Sequence, residues 1–425
     1  MKPQSLIPLL GSIPLASAWL PTDEGRDLST FSKSGTSKIR GVNLGSSFII
    51  EKWMANGEWN DMGCGEYNSE WGCVQGIGQD AANKAFKKHW QSWITKDDIT
   101  KMVSYDLNTI RIPIGFWMNE DLIADNEYYP RNNALEDLTN ICQWAADAGM
   151  YVIIDTHGLP GAQQAQQPFT GRYASSPEFY QNDGNAERAY KFYEWMVEQI
   201  SSSDAFKTVG ALELVNEPLQ NTENGNTNWM VEHFYPSAID RIRAKESSLG
   251  VSDDDALHIT VMDDKWDSGG NPTRSLNDSQ KKKLLFDDHN YEIYLVRDAG
   301  SKGDMISDAC GDNRQSDVDP KIVGEWSLAF NNQGDNFLPM TGNHASSYSK
   351  WFSAQQRQYE ALGGWVFWTW KTDENLPNVE QWNYQSKLLS NLLQLEEEML
   401  ISLPEAVEAG IINKDLNAQF DQNPC

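Results

Sequence analysis

The chain alternates short, continuous apolar runs with longer amphipathic stretches, and it repeats this until eight apolar runs have been laid down. The runs are Ile39 to Leu44, Thr109 to Pro113, Tyr151 to Asp155, Ala211 to Asn216, Ala256 to Met262, Leu284 to Asp287, Lys321 to Glu325 and Gly364 to Trp370. Several are β-branched and unbroken. A strand with one wet face alternates polar and apolar residues, so an unbroken run marks a strand covered on both faces. Helical periodicity fills most of the intervals: Lys96 to Tyr105, Asn133 to Ala148, Asn185 to Ile200, Trp229 to Glu246 and Ser346 to Leu362. Eight strands with helical connections predict an α/β fold, a (β/α)8 TIM barrel. A doubly wound sheet is the rival, but no Gly-rich phosphate loop follows the first strand. No internal repeat and no linker rich in Pro, Gly or Ser divides the chain, so a single domain is expected.

In such a barrel the chemistry sits where the strands end. Arg111 lies in the second run, and Asp155, Thr156 and His157 close the third. Asn216, Glu217 and Pro218 close the fourth, and Asp287, Asp288, His289 and Tyr291 the sixth. Glu325 closes the seventh, and Trp368 and Trp370 the eighth. A carboxylate beside an apolar strand is costly unless it is paired or employed. Glu217 and Glu325 facing each other across a barrel mouth would suit hydrolysis of a glycosidic bond. At a separation of about 5–5.5 Å one carboxylate attacks and the reaction retains configuration. Asn216 would hold the sugar 2-hydroxyl, His289 and Tyr291 would tune the nucleophile, and Trp368 would offer a flat platform to a sugar face. Taken singly each residue is ordinary; their joint order, one strand end after another, is not. A barrel that kept its groove but lost a carboxylate would be a non-catalytic wall-glucan binder, and here both carboxylates are present.

The remaining signals concern compartment and partners. Lys plus Arg number 34 against 61 Asp plus Glu, a formal charge of −27, which excludes a nucleic-acid partner. Met1-Lys2, the apolar stretch Leu6 to Leu15 and the small residues Ala16-Ser17-Ala18 form a secretory leader over 1–18, leaving a catalytic domain over 19–425. No later run is long enough to cross a membrane, so a secreted protein, extracellular or in the cell wall, is expected. In that oxidising setting Cys64 and Cys73 make a local pair, Cys310 and Cys425 tie down the tail, and Cys142 reads as a buried free thiol. No CxxC or HExxH occurs, so neither a metal nor another cofactor is expected. Asn277-Asp278-Ser279 is the one glycosylation sequon. A monomer is expected.

These residues together resemble glycoside hydrolase family 5. The likeness is carried by NTIRIPIGFW around Arg111, IIDTHGLPGAQ around His157, ELVNEP around Asn216 and Glu217, DDHNY around His289 and Tyr291, IVGEWS around Glu325, and GWVFWTWK around Trp368. It implies that Glu217 is the acid/base and Glu325 the nucleophile, with the other residues lining the sugar subsite at the cleavage point. Glu51, in GVNLGSSFIIEKW, matches a substrate-binding carboxylate of the fungal glucanase branch. That branch usually carries LGGWL where this chain has Leu44-Gly45-Ser46-Ser47-Phe48, which implies a remodelled outer subsite. Loop segments extend the likeness to fungal enzymes that cut within β-1,6-glucan: MGCGEYNSEWGC (62–73), GLPGAQ (158–163), PFTGRYA (168–174), VMDDKW (261–266) and AGIINKDLN (409–417). The substrate implied is a β-glucan polysaccharide. Exo-acting β-1,3-glucanases and other β-glycanases of the family, such as mannanases, are the rivals.

One segment departs from the likeness. Ser386 to Pro404 is a Leu- and Glu-rich stretch of 19 residues, where relatives would pass almost directly from Gln385 to Glu405. Ser-Lys can be encoded with a GTAAG donor, Met-Leu-Ile with a CTAAT branch site and Pro-Glu with an AG acceptor. The segment therefore reads as a retained intron. Sequencing the transcript is expected to give a message in which the Gln385 codon is joined to the Glu405 codon. A message that keeps the segment makes it instead a lid or surface helix beyond the eighth strand.

Overall fold

The computed structural model describes residues 38–373, apart from 182, 221–225, 267–269, 293–301 and 330–343, and then residues 412–425. The expected leader over 1–18 and the segment 386–404 lie outside the described residues.

Eight parallel strands close on themselves in chain order. They are β1 (Ile39–Asn43), β2 (Thr109–Gly115), β3 (Tyr151–Gly158), β4 (Val209–Glu213), β5 (His258–Met262), β6 (Leu284–His289), β7 (Lys321–Glu325) and β8 (Gly364–Phe367). Every residue of β2 to β8 is buried, as unbroken apolar runs require when helices cover one face and the barrel interior the other. Closure is made at β1, where Gly41 is paired with Thr109 on one side and Val366 on the other. At the start of β8, Gly364 has φ +134°, and a Cβ there would stand 2.0 Å from the Ile39 carbonyl oxygen. Only glycine lets the last strand approach the first this closely.

Some boundaries differ from the apolar runs. β4 leaves the ladder at Glu213, and the chain bends at Leu214 and Asn216, with Leu214 N donating to Thr260 O at 3.0 Å and Asn216 N to Thr156 O at 3.1 Å. β8 ends at Phe367, and Trp368 continues it by donating its N–H to Trp326 O at 2.7 Å. β2 and β3 run on to Gly115 and Gly158.

The expected helices are found at Lys96–Ser104, Ala134–Asp147, Asp183–Ser202, Tyr235–Ser248 and Ala345–Glu360. The first is closed by a reciprocal cap, Thr95 and Asp98 each bonding the other's backbone N–H. The connection from β1 to β2 holds three more helices, Asn56–Asp61, Glu70–Ile77 and Gln79–Ser92. The first two are short and Gly-bearing. In the third the buried stripe is Ala82, Phe86, His89 and Trp90, and the polar His89 breaks the apolar pattern. That imidazole is satisfied by Ser46 O, 2.7 Å from Nε2.

Two disulfides hold the ends of this architecture. Cys64–Cys73 braces the first connection. Cys310–Cys425 brings the last residue back across 115 positions. The short helix Leu416–Phe420 lies against Ala345–Glu360, with Gln419 Nε2 donating to Ser349 O at 2.9 Å and Ser353 Oγ to Gln419 O at 2.8 Å. Cys142 is a buried free thiol in the helix after β2.

Candidate active site

The strand ends meet around Arg111, whose side chain has no exposed surface. Its Nε donates to Glu213 Oε2 at 2.8 Å and its NH1 to Asn43 Oδ1 at 3.0 Å and Glu325 Oε1 at 2.9 Å. Its NH2 donates to Asn216 Oδ1 at 2.9 Å and lies 3.2 Å from Asp155 Oδ2. Asp287 Oδ2 stands 3.7 Å from Nε. One cation thus ties together residues from β1, β2, β3, β4, β6 and β7. Asp287 fits because β7 carries Gly324 opposite it: a Cβ there would lie 2.1 Å from the carboxylate, whereas the Gly324 N–H donates to Oδ1 at 2.7 Å.

Above this floor stand the two glutamates. Glu325 ends β7 and is 6% exposed, while Glu217 follows β4 and is 19% exposed. Carboxylate oxygens of both, with a ring nitrogen of His289, lie within 4.8 Å of one another. His289 Nδ1 donates to Glu217 Oε1 at 2.8 Å and faces Glu325 Oε2 at 3.5 Å. Tyr291 OH donates to Glu325 Oε2 at 2.7 Å, so both oxygens of Glu325 are held, one by Arg111 and one by Tyr291. Glu217 has φ +43°, a left-handed backbone that also precedes Pro218. A non-glycine residue there carries about 1–3 kcal/mol of strain. It is held by Gln164 Nε2, donating to Glu217 O at 3.0 Å, and by Trp266 Nε1, donating to Pro218 O at 2.9 Å.

Burial sets the electrostatics. It pushes Glu325 above the ordinary carboxylate value; His289 and Arg111 pull it down, and Glu217 pushes it up. Arg111 therefore acts in the expected direction, but burial outweighs it. His289 is also opposed by burial, yet Glu325, Asp287 and Glu217 hold its pKa well above the usual imidazole value, so it is an imidazolium. Burial likewise lifts the Tyr291 phenol far above its ordinary value, with Glu325 and Glu217 adding to it, so the phenol keeps its proton.

The cleft over these groups has a volume of about 500 Å3. Of the residues singled out from sequence, Glu51, His157, Asn216, Glu217, His289, Tyr291, Glu325 and Trp368 line it; Arg111 lies beneath. His157 donates from Nδ1 to Asp155 Oδ2 at 2.5 Å, and its ring stacks parallel to Trp368 at 5.6 Å. Glu51 is buried and accepts from Trp53 Nε1 at 2.9 Å. Burial raises it to about 7, with His157 and Trp53 opposing the rise and Glu325 and Glu217 adding to it. Asn277 lies apart, exposed between β5 and β6, its Oδ1 accepting from Ser279 N at 2.9 Å.

Sequence reasoning missed Trp53, Gln167, Phe169, Gln220, Lys265 and Trp266 as cleft residues. Trp53, Phe169, Lys265 and Trp266 fall in the loop segments that carried the family likeness, and an aromatic inside such a loop was the available signal. Glu213 was also missed, because it sits inside an apolar run. Among the described residues two donor sets could hold a cation: Glu213, Asp287 and His289, and Glu217, His289 and Glu325. Arg111 already supplies positive charge to Glu213, Asp287 and Glu325, and His289 is itself protonated.

Comparison with known proteins gives the family. The family model described as Cellulase (glycosyl hydrolase family 5) matches residues 74–374. Glucan endo-1,6-beta-glucosidase B of Emericella nidulans is 44% identical over 439 residues, covering 99% of each chain. A probable glucan endo-1,6-beta-glucosidase B of Aspergillus fumigatus is 46% identical over 395 residues, covering 92% of this chain and 97% of that one. Among solved structures, rutinosidase from Aspergillus niger superposes with a TM-score of 0.62 at 21% identity, over 80% of this chain and 91% of that one, a likeness of fold.

Glu51 makes stability depend on pH. Its value is about 7 when folded against an ordinary 4.5, so between these pH values the folded state holds a proton that the unfolded state has released. Stability therefore falls as pH rises through that window. Glu51→Gln is expected to flatten the fall between pH 4.5 and pH 7 by about 3 kcal/mol, read from urea unfolding at the two pH values. An unchanged slope would mean that Glu51 is already ionised in the folded protein.

Proposed function

The chain belongs to glycosyl hydrolase family 5 and is an O-glycosyl hydrolase; from that membership we propose that it is a secreted, retaining endo-β-1,6-glucanase. The observation that carries the mechanism is the close approach of Glu217 and Glu325, with oxygens within 4.8 Å. That is the short spacing of a pair in which one carboxylate attacks directly, below the wider spacing of pairs that activate a water for inversion. The linkage is supported by the near full-length similarity to enzymes named glucan endo-1,6-beta-glucosidase.

Glu325, oriented by Arg111 and Tyr291, forms a bond to the anomeric carbon as the bond to the leaving sugar breaks. Glu217 gives its proton to the leaving oxygen. Its Oε1 is occupied by His289, so Oε2 carries that proton. Asn216 is fixed by Arg111 through Oδ1, which leaves its amide N–H groups for the sugar 2-hydroxyl. Water then attacks the same carbon, passes a proton to Glu217 and releases Glu325, giving net retention. Trp368, backed by the parallel His157 ring, is the platform for the sugar at the cleavage point. The leader over 1–18 and the two disulfides support secretion to the extracellular space or cell wall. Asn277 is exposed, as a glycosylation site must be. The chain acts as a monomer on β-glucan.

A panel of pustulan, laminarin, mannan and cellulose is expected to show rapid cleavage of pustulan alone, with oligosaccharides as early products. Release of glucose alone from laminarin would favour the exo-β-1,3-glucanase reading instead. In the variants, Glu325→Gln should lower turnover by more than about a thousandfold while pustulan still binds. Glu217→Ala should regain activity on activated aryl glucosides when azide is added. Near-normal turnover in the first, or no azide rescue in the second, would overturn that residue's role.

A further inference from the structure

Beside the catalytic cleft lies a second groove of about 450 Å3, lined by Lys52, Trp53, Asn56, Asn68, Pro168 and Tyr173. Two chain segments form the ridge between groove and cleft. In the first, Glu51 faces the cleft, Lys52 faces the groove and Trp53 lines both. In the second, Gln167 and Phe169 line the cleft while Pro168 lines the groove. Trp53 is therefore the wall that the two depressions share. Five large apolar side chains stand exposed among the described residues, and two of them, Trp53 and Tyr173, are here. Aromatic rings open to water beside two asparagine amides are the chemistry that takes up a neutral sugar, whose apolar face stacks while its hydroxyls find amides.

The groove is built in advance. Asn68 sits inside the loop closed by Cys64–Cys73, and Lys52 Nζ donates to Gly65 O in the same loop. The loop carrying Tyr173 is pinned by Gln166 N donating to Ala174 O at 2.8 Å and by the Thr170 hydroxyl donating to Arg172 O at 2.7 Å. The two loops are joined, with Trp71 N donating to Gly171 O at 2.9 Å and the Arg172 guanidinium 4.6 Å over the Trp71 ring. Little ordering remains to be done when a ligand arrives.

Barrel order relates the groove to Trp368. One wall follows β1, which pairs with β8, the strand that leads into Trp368, and the other follows β3. Glu51, on the ridge, interacts with His157, and the His157 ring stacks on Trp368. The groove therefore opens beside the sugar held at Trp368.

We infer that this groove is an additional sugar-binding subsite, which takes glucose units of a β-glucan chain beyond the one held at Trp368 and uses Tyr173 as its stacking platform. The inference rests on the reading of the protein as a β-glucanase. It accounts for binding of a long chain across the mouth without adding any group to the bond chemistry.

The test is the dependence of kcat/KM on chain length, measured with β-1,6-linked gluco-oligosaccharides of increasing length. Tyr173→Ala is expected to lower kcat/KM about tenfold on the long members and to leave the shortest cleaved substrate unchanged. Tyr173→Phe, which keeps the ring, is expected to retain the gain with length. A Tyr173→Ala length profile identical to that of the wild type overturns the inference, as does an equal loss at every length. If the wild type cuts β-1,3-linked but not β-1,6-linked oligosaccharides, the linkage proposal fails. The same three proteins are then compared on the β-1,3-linked series, where the same outcomes decide the groove.

Discussion

A guanidinium without exposed surface sits under the barrel mouth and bonds to side chains from most of the strands that surround it. Arg111 faces Asp155, Glu213, Asp287 and Glu325 at 3.7 Å or less. Four buried carboxylates around one cation would be unstable if all were ionised, because each ion gives up its hydration. Burial opposes that accumulation of charge. It drives Glu213 well above its ordinary value; Arg111 pulls it down, while Asp155 and Asp287 raise it further. Glu213 Oε2 accepts from Arg111. His289, held as an imidazolium by Glu325, Asp287 and Glu217 against burial, supplies the second positive charge. The floor of the cleft is thus a compensated cluster, and its geometry fixes the groups above it.

That cluster anchors both glutamates of the proposed reaction to the barrel floor. Asn216 accepts from Arg111 and so anchors the residue before Glu217, and Glu325 is both the last residue of β7 and an acceptor of Arg111. The strained backbone of Glu217 persists because Gln164, from the loop after β3, and Trp266, from the loop after β5, hold it from either side. Shifts of one strand relative to the next would break several of these bonds together. The glycines at 324 and 364 mark where the packing has no slack, one admitting Asp287 and the other the seam of the barrel.

The barrel and the chemistry at its mouth were legible because they follow from local rules. Buried parallel strands must be apolar, so a polar residue closing one is conspicuous. The same rule hid Glu213, which looks like an interruption of a strand until Arg111 is seen to reach it. It also misplaced the ends of β4 and β8, since Leu214, Val215 and Trp368 are as buried as strand residues but have left the ladder. The helices Asn56–Asp61, Glu70–Ile77 and Gln79–Ser92 were not legible: the first two are short and braced by a disulfide, and the third buries His89, which bonds to distant backbone. The cleft walls at Trp53, Phe169 and Trp266 are tertiary in the same sense: their loops are recognisable, but nothing local says which face of an aromatic meets a ligand.

In the proposed double displacement one carboxylate, Glu217, serves as acid and then as base. Glu217 and Glu325 repel each other when both are charged. Before attack, the Arg111 and Tyr291 bonds hold both oxygens of Glu325. Once Glu325 has formed an ester its charge is gone, and with it the repulsion. Glu217 has by then given up its proton, and His289 remains beside Oε1 to stabilise the carboxylate. The nearest positive charge to Glu217 therefore stays in place through both steps, while the nearest negative charge is present only in the first. The change of role needs no movement of the chain: it follows from consuming one charge of a fixed pair.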